Sequence, residues 1–366
     1  MQILTHISRL LVAVTFIFSG FVKLVDPLGS AYKFEEYFGA DVLNLEFLSP
    51  FALQFSVLLI LAEIMLGVML LVGFKSKLTV WSLFAISLLF LFLTWYSAYF
   101  DKVTDCGCFG DAVTLTPWET FYKNIVLIIL VIFLMIRVYD IQPISSDIFA
   151  KRITLISLLV FIGIIFYVMR YLPIIDFRAY AVGKSIPEGM LVPDDAEKPV
   201  YEDTWVYNVD GEDKTFTTEE KPWSIEGATF VDRKTRTLVE GYIPPIHDFT
   251  MEIDGEDITD LLMEKEKLML IVTYNLSLTD SKGMESMKAL SERAMENGYT
   301  VFCFSASTQE DYDIIKKEYD LDFDLLFCDE TTLKTIIRSN PGIVVLDKGV
   351  ITGKWSWRQA DSIILD

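Results

Sequence analysis

Residues 51–74 read FALQFSVLLILAEIMLGVMLLVGF, a run long enough to cross a bilayer and carrying one charge, Glu63. A helix needs roughly 20 apolar residues for that crossing. Working outward, four more segments meet the same test: residues 4–25, 78–100, 121–139 and 153–171. The first lacks a small-residue cleavage site and runs into Lys23-Leu24-Val25-Asp26-Pro27. It therefore reads as a retained helix and not as a signal peptide.

Composition divides the chain in two. The 366 residues are 52% hydrophobic yet carry a net charge of −20. Residues 1–175 hold 11 Lys and Arg against 12 Asp and Glu, whereas residues 176–366 hold 20 against 39. An apolar, nearly neutral half is thus joined to a strongly acidic one. That acidity argues against nucleic acid, or an anionic membrane surface, as a partner of the second half.

Short-loop charges give the expected orientation. Lys75 and Lys77 follow the second span, and Arg137, Lys151 and Arg152 bracket the turn between the fourth and fifth. Positive short loops mark the cytoplasmic side. The amino terminus with Arg9 is then inside a bacterial inner membrane. The loops at 26–50 and 101–120, and the acidic region after Asp176, are periplasmic. Cys106, Cys108, Cys303 and Cys328 all fall on that oxidising side.

Cys106-Gly107-Cys108-Phe109-Gly110 lies on the loop between the third and fourth spans. A Cys-x-Cys disulfide closes a very small ring that ordinary disulfide geometry resists. Such strain makes the bond a better oxidant, and Gly107 supplies the backbone freedom the ring needs. The alternatives are a static pair, lipid attachment, or a metal site with Asp105 and Asp111. His6 and His247 are the chain's two histidines, which disfavours a His-containing metal centre. Glu63 lies mid-span, where an ionised carboxylate is costly and marks a functional candidate. Lys23, near the outer end of the first span, is its nearby basic candidate. The two differ in depth by several turns, so a direct ion pair calls for water or a tilted helix. Glu63 reads either as a proton relay or as a protonated helix–helix contact, and Lys23 either as its partner or as a snorkelling anchor. Aromatic residues at 95, 96, 99, 118 and 122 read as an outer interfacial belt.

The segment from Phe18 to Pro27, Glu63, and Asp105 to Asp111 together resemble the DoxX superfamily, and most closely its methylamine-utilisation MauE branch, over about residues 1–140. The resemblance implies extracytoplasmic disulfide or quinone-linked redox chemistry, with Cys106, Cys108, Glu63 and Lys23 as site residues and a quinone as candidate cofactor. No methylamine substrate is implied.

In the acidic half, residues 184–245 carry short alternating runs and an Asp210-Gly211 hairpin signal. From residue 246, strands at 267–274, 299–305 and 325–328 alternate with helices at 281–297, 309–319 and 330–338. A hairpin over 342–346 and 350–355 closes the order. This predicts a mixed sheet covered by helices. Asn340-Pro341-Gly342 followed by Ile343-Val344-Val345-Leu346 resembles the cis-proline segment of thioredoxin-fold proteins, and the lead-in from His247 resembles the TlpA-type branch. Where that family has Cys-x-x-Cys, this chain has Asn275-Leu276-Ser277-Leu278-Thr279-Asp280, without a thiol. Asp280 or Ser281 reads as a helix cap, and Cys303 and Cys328 as small buried hydrophobes.

The expected architecture is a multi-domain membrane protein. A five-span α-helical bundle (1–175) is followed by a β-rich extracytoplasmic subdomain (176–245) and an α/β thioredoxin-like domain without Cys-x-x-Cys (246–366). The expected function is periplasmic thiol–disulfide redox on a protein client. The alternative is a non-catalytic scaffold of an envelope complex, with the last domain as a binding module.

Overall fold

The structure is a computed structural model that describes residues 2–100, 102–103, 110–113, 115–239 and 241–365. Cys106 and Cys108 lie outside the described residues. The chain forms two compact units, one of residues 1–183 with 250–366 and one of residues 184–249.

In the first unit, five described helices are long and apolar enough to span a membrane. They are α1 (Gln2–Val25), α3 (Ala52–Val72), α4 (Ser76–Phe100), α5 (Pro117–Ile136) and α6 (Asp147–Arg170). A shorter helix, α2 (Pro27–Phe38), occupies the segment expected to be loop between the first two spans. Its start obeys simple rules: Asp26 accepts from the Gly29 backbone N–H at 3.1 Å, and Pro27 takes the first helical position. Likewise, Thr116 and Glu119 form a capping box at the head of α5. Gly73 in the left-handed region closes α3.

Antiparallel α1 and α3 approach through two glycines. A Cβ on Gly20 would lie 2.8 Å from Ile64 Cβ, and one on Gly67 would lie 2.7 Å from Ile17 Cγ1. Away from α2 the bundle is filled by Phe16, Leu66, Leu70, Leu83, Val131 and Leu134. At that end Arg9 is buried and donates to the carbonyls of Leu70, Leu71 and Gln142 at 2.8–2.9 Å. It thereby satisfies groups that the end of α3 leaves unpaired.

The same unit contains a seven-stranded sheet. Its elements are β4 (Glu252–Ile253), β5 (Glu256–Asp257), β6 (Leu268–Thr273), β7 (Thr300–Ser305), β8 (Asp324–Phe327), β9 (Gly342–Asp347) and β10 (Val350–Ser356), in the order β10-β9-β6-β7-β8-β4-β5. β6, β7 and β8 run parallel, while β9 and β10 are antiparallel additions. All six residues of β6 are buried, as expected of a strand covered on both faces. Helices α8 (Thr259–Met263), α9 (Ser281–Glu296), α10 (Gln309–Tyr319) and α11 (Glu330–Ile336) complete it. The alternation read from the sequence is present to within one or two residues at most boundaries. Asp280 caps α9 through the backbone N–H groups of Lys282 and Gly283.

The second unit has a short helix, α7 (Ile186–Met190), and an antiparallel sheet of β1 (Val200–Val209), β2 (Glu212–Thr217) and β3 (Thr229–Val239), ordered β2-β1-β3. Asp210 and Gly211, both at positive φ, make the two-residue β1–β2 connection.

The α1–α3 approach gives a direct test. Gly20→Leu should destabilise the detergent-solubilised protein by about 1–3 kcal/mol, seen as a lower Tm in a thermal melt, because Ile64 backbone and side-chain atoms stand where the new side chain must go.

Candidate functional site

Glu63 is fully buried at the middle of α3 and Lys23 is 7% exposed near the end of α1. They meet directly: Lys23 Nζ lies 3.0 Å from Glu63 Oε2 and 3.3 Å from Oε1. Lys23 also donates to Ser19 Oγ at 2.7 Å, one helical turn below it on α1. The ring of Phe90 on α4 faces the same ammonium at 5.8 Å.

This corrects two expectations. Lys23 is buried and not a snorkelling anchor, and it pairs with Glu63 directly, without a bridging water. The depth argument failed because α3 begins beside α2 and not beside α1. Ser56, in its first turns, donates to the Pro27 carbonyl at 2.8 Å. Gly20 lies against Ile64, which brings Glu63 level with the turn containing Ser19 and Lys23.

Nor is Lys23 alone. Lys123 on α5 acts electrostatically on Glu63 and shares a small cavity with Glu63, Ser19 and Asn124. In the sequence Lys123 stands at the edge of the fourth apolar segment, where a lysine is read as an interfacial anchor. Asn124 donates to Thr94 Oγ1 on α4 at 3.2 Å, tying α4 to α5 beside this cavity.

Gly110 is two positions beyond Cys108 in sequence, and a Cβ on it would stand 3.2 Å from Val22, the residue before Lys23. Among the expected belt residues, Trp95, Tyr99, Trp118 and Tyr122 are exposed on the bundle surface. Tyr96 differs, donating to the Val42 carbonyl at 2.7 Å.

A second charged cluster joins the helical and sheet parts of this unit. Arg338, 7% exposed, grips Asp26 through Nε (3.0 Å to each oxygen) and a second nitrogen (2.9 Å). Its guanidinium lies 5.2 Å from the ring of Tyr32 on α2. The Tyr32 and Tyr274 hydroxyls hydrogen-bond, and Lys334 faces both rings at 5.0 and 5.9 Å. Gly29 makes room: a Cβ there would lie 2.9 Å from the Arg338 guanidinium. Nearby, Asp176 accepts from Arg178 Nε and Lys354 Nζ, both at 2.7 Å, fixing the chain that leaves α6 to β10. Burial opposes ionisation of Asp176, but Arg178 and Lys354 outweigh it and hold its carboxyl at about 2. Burial likewise opposes ionisation of Asp26, and Arg338 and Arg178 hold it below the usual range. Burial and Arg178 push the Lys354 ammonium down to about 8, so it stays charged at neutral pH.

Asn340-Pro341 is a cis peptide, and Asn340 Nδ2 donates to the Asn275 carbonyl at 2.8 Å. Cys303 and Cys328 are free and buried, and burial pushes each thiol up to about 12. Neither supplies a thiolate at neutral pH. Beside Lys23 a cavity of about 60 Å³ is walled by Tyr37, Ile60, Phe90 and Thr94. No group of three or more His, Cys, Asp or Glu residues suited to a metal occurs among the described residues.

The family profile described as "Methylamine utilisation protein MauE" matches residues 1–137. The chain is similar to that membrane family over its first four spans. No curated protein matches it.

Arg338→Ala leaves Asp26 buried without its main partner, a change that typically costs about 3–5 kcal/mol. Limited proteolysis near residue 176 should accelerate, and Asp26→Arg with Arg338→Asp should restore part of the protection. The carboxylates set a pH window with a defined sign. Their folded affinity for protons is depressed, so the stabilisation is complete above the ordinary carboxylate value near 4. It is lost as pH falls towards about 2, and a pH series of the same proteolysis should show this.

Proposed function

We propose that the protein handles thiol–disulfide exchange on the side of the membrane that carries α2, with Cys106 and Cys108 as the exchanging pair. The observation that carries this reading is the proximity of Gly110 to Val22, which puts the residue two positions after Cys108 beside the turn of α1 that holds the Lys23–Glu63 pair. A client thiolate attacks one sulfur of the Cys106–Cys108 disulfide, and the client's second thiol then displaces the mixed disulfide. The client leaves oxidised and the pair is left as two thiols. Return to the disulfide releases two electrons and two protons to an oxidant of disulfide or quinone class. Glu63, held by Lys23 at 3.0 Å, serves in this reading as the proton acceptor within the bundle.

The side carrying α2 is taken as periplasmic and the membrane as the bacterial inner membrane, on the loop-charge rule. The α/β domain is taken as thioredoxin-like. Support comes from parallel β6 and β7, antiparallel β9, and the cis-proline immediately before β9. Without Cys-x-x-Cys it serves to hold and orient, not to exchange thiols.

The second reading, a non-catalytic envelope scaffold, is favoured by the Asp26–Arg338 ion pair, which commits the α/β domain to an internal contact. The two readings differ under mutation. Exchange requires Cys106→Ser and Cys108→Ser to cause the same loss, with client thiols accumulating reduced in differential alkylation and mass spectrometry. Glu63→Gln should slow turnover by roughly a hundredfold while leaving the pair oxidisable by added oxidant. Tolerance of both cysteine changes, with loss of function only on deleting the region after Asp176, selects the scaffold.

A further inference from the structure

We infer that Glu63 exchanges its proton with one side of the membrane only, the side carrying α2, by way of Lys23, with Lys123 as a positioning residue. Such exchange does not depend on Cys106 or Cys108 being redox-active. Three observations carry it. The first is the cavity of about 60 Å³ beside Lys23, whose walls include Ser30 and the one-third-exposed Lys33 of α2. Its walls are mostly apolar, but Lys23, Ser30, Lys33, Tyr37, Ser56 and Thr94 line it too and offer a water several polar partners. The second is the smaller cavity, about 10 Å³, bounded by Ser19, Glu63, Lys123 and Asn124. That is room for about one water with several polar partners. Phe90 lines both cavities.

The third observation is what lies in the other direction. Towards the Arg9 end, Phe16, Leu66, Leu70, Leu83, Val131 and Leu134 are buried against one another. Arg9 is committed to the Leu70, Leu71 and Gln142 carbonyls. A proton crossing that apolar packing would need a polar chain that these residues do not offer.

Among the described residues, Thr15, Phe16 and Ser19 of α1, Phe90 of α4, and Lys123, Asn124 and Leu127 of α5 line the second cavity with Glu63, and Lys23 pairs with it directly. Tyr37 and Lys33 of α2 line the first cavity. Transfer balances simply. Lys23 passes a proton to the Glu63 oxygen it already touches at 3.0 Å and takes another from water in the first cavity. Release runs the same steps backwards. Lys123, across the second cavity, is a positioning residue that stabilises the ionised carboxylate between transfers.

The test uses the full chain in proteoliposomes, with the α/β domain marking the α2 side by its protease accessibility. The Glu63 carboxyl band is followed by infrared difference spectroscopy and assigned by its disappearance in Glu63→Gln. Glu63→Asp, which moves the band, assigns it should Glu63→Gln not fold. A pH jump on the α2 side should change the band promptly, and an equal jump on the opposite side should not. A prompt response to the opposite side, or to neither side, overturns the inference. Lys123→Gln should slow the response at least about tenfold, with Lys123→Arg restoring it. An unchanged rate in Lys123→Gln removes Lys123 from its positioning role.

Discussion

A carboxyl group in the middle of a membrane helix has to be paired, hydrogen-bonded or neutral, because lipid offers it no water. Glu63 meets this constraint by drawing Lys23 to within 3.0 Å, and much of the bundle follows. The pair requires α1 and α3 to run close enough for a lysine side chain to bridge them. That closeness requires Gly20 and Gly67. It also requires α3 to begin beside α2, so that its midpoint meets the last turns of α1. Losing one partner would strand the other, which is why a buried pair fixes register more than it adds stability.

The end of α1 is held twice. Lys23 is fixed from within the membrane by Glu63, and Asp26, one turn later, is fixed by Arg338 from the sheet part of the same unit. Asp26 also caps α2. One short stretch therefore sets the depth of the ion pair, starts the helix that lines its cavity and holds the α/β domain. Rigid two-sided support of this kind is what a proton-handling site needs if its geometry is to persist.

The spans were legible because length and hydropathy alone decide them. The α/β order was legible because buried strands and amphipathic helices differ in period. Glu63 was legible as the lone charge in residues 51–74. What sequence reading lost were relations between helices. The depth of Lys23 against Glu63 depends on how the 26–50 segment folds. That segment was read as loop, although Asp26-Pro27 is a helix start by capping rules. Lys123 fell at the edge of a predicted span, where lysines ordinarily snorkel, so its approach to Glu63 was invisible. The Asp26–Arg338 pair joins residues more than three hundred positions apart, and no local pattern foretells it.

The same pair bears on the missing thiols of the α/β domain. In the thioredoxin-like reading, the reactive end of the fold is the one bearing Asn275 and cis-Pro341. Here Tyr274, beside that loop, meets Tyr32 of α2, and Arg338, shortly before the proline, meets Asp26. Asn340 ties the two loops together through the Asn275 carbonyl. A cysteine pair at this end would face a tyrosine and an ion pair of its own membrane domain instead of a client. Keeping the loop geometry without the sulfur is consistent with that end serving as an attachment surface within this unit.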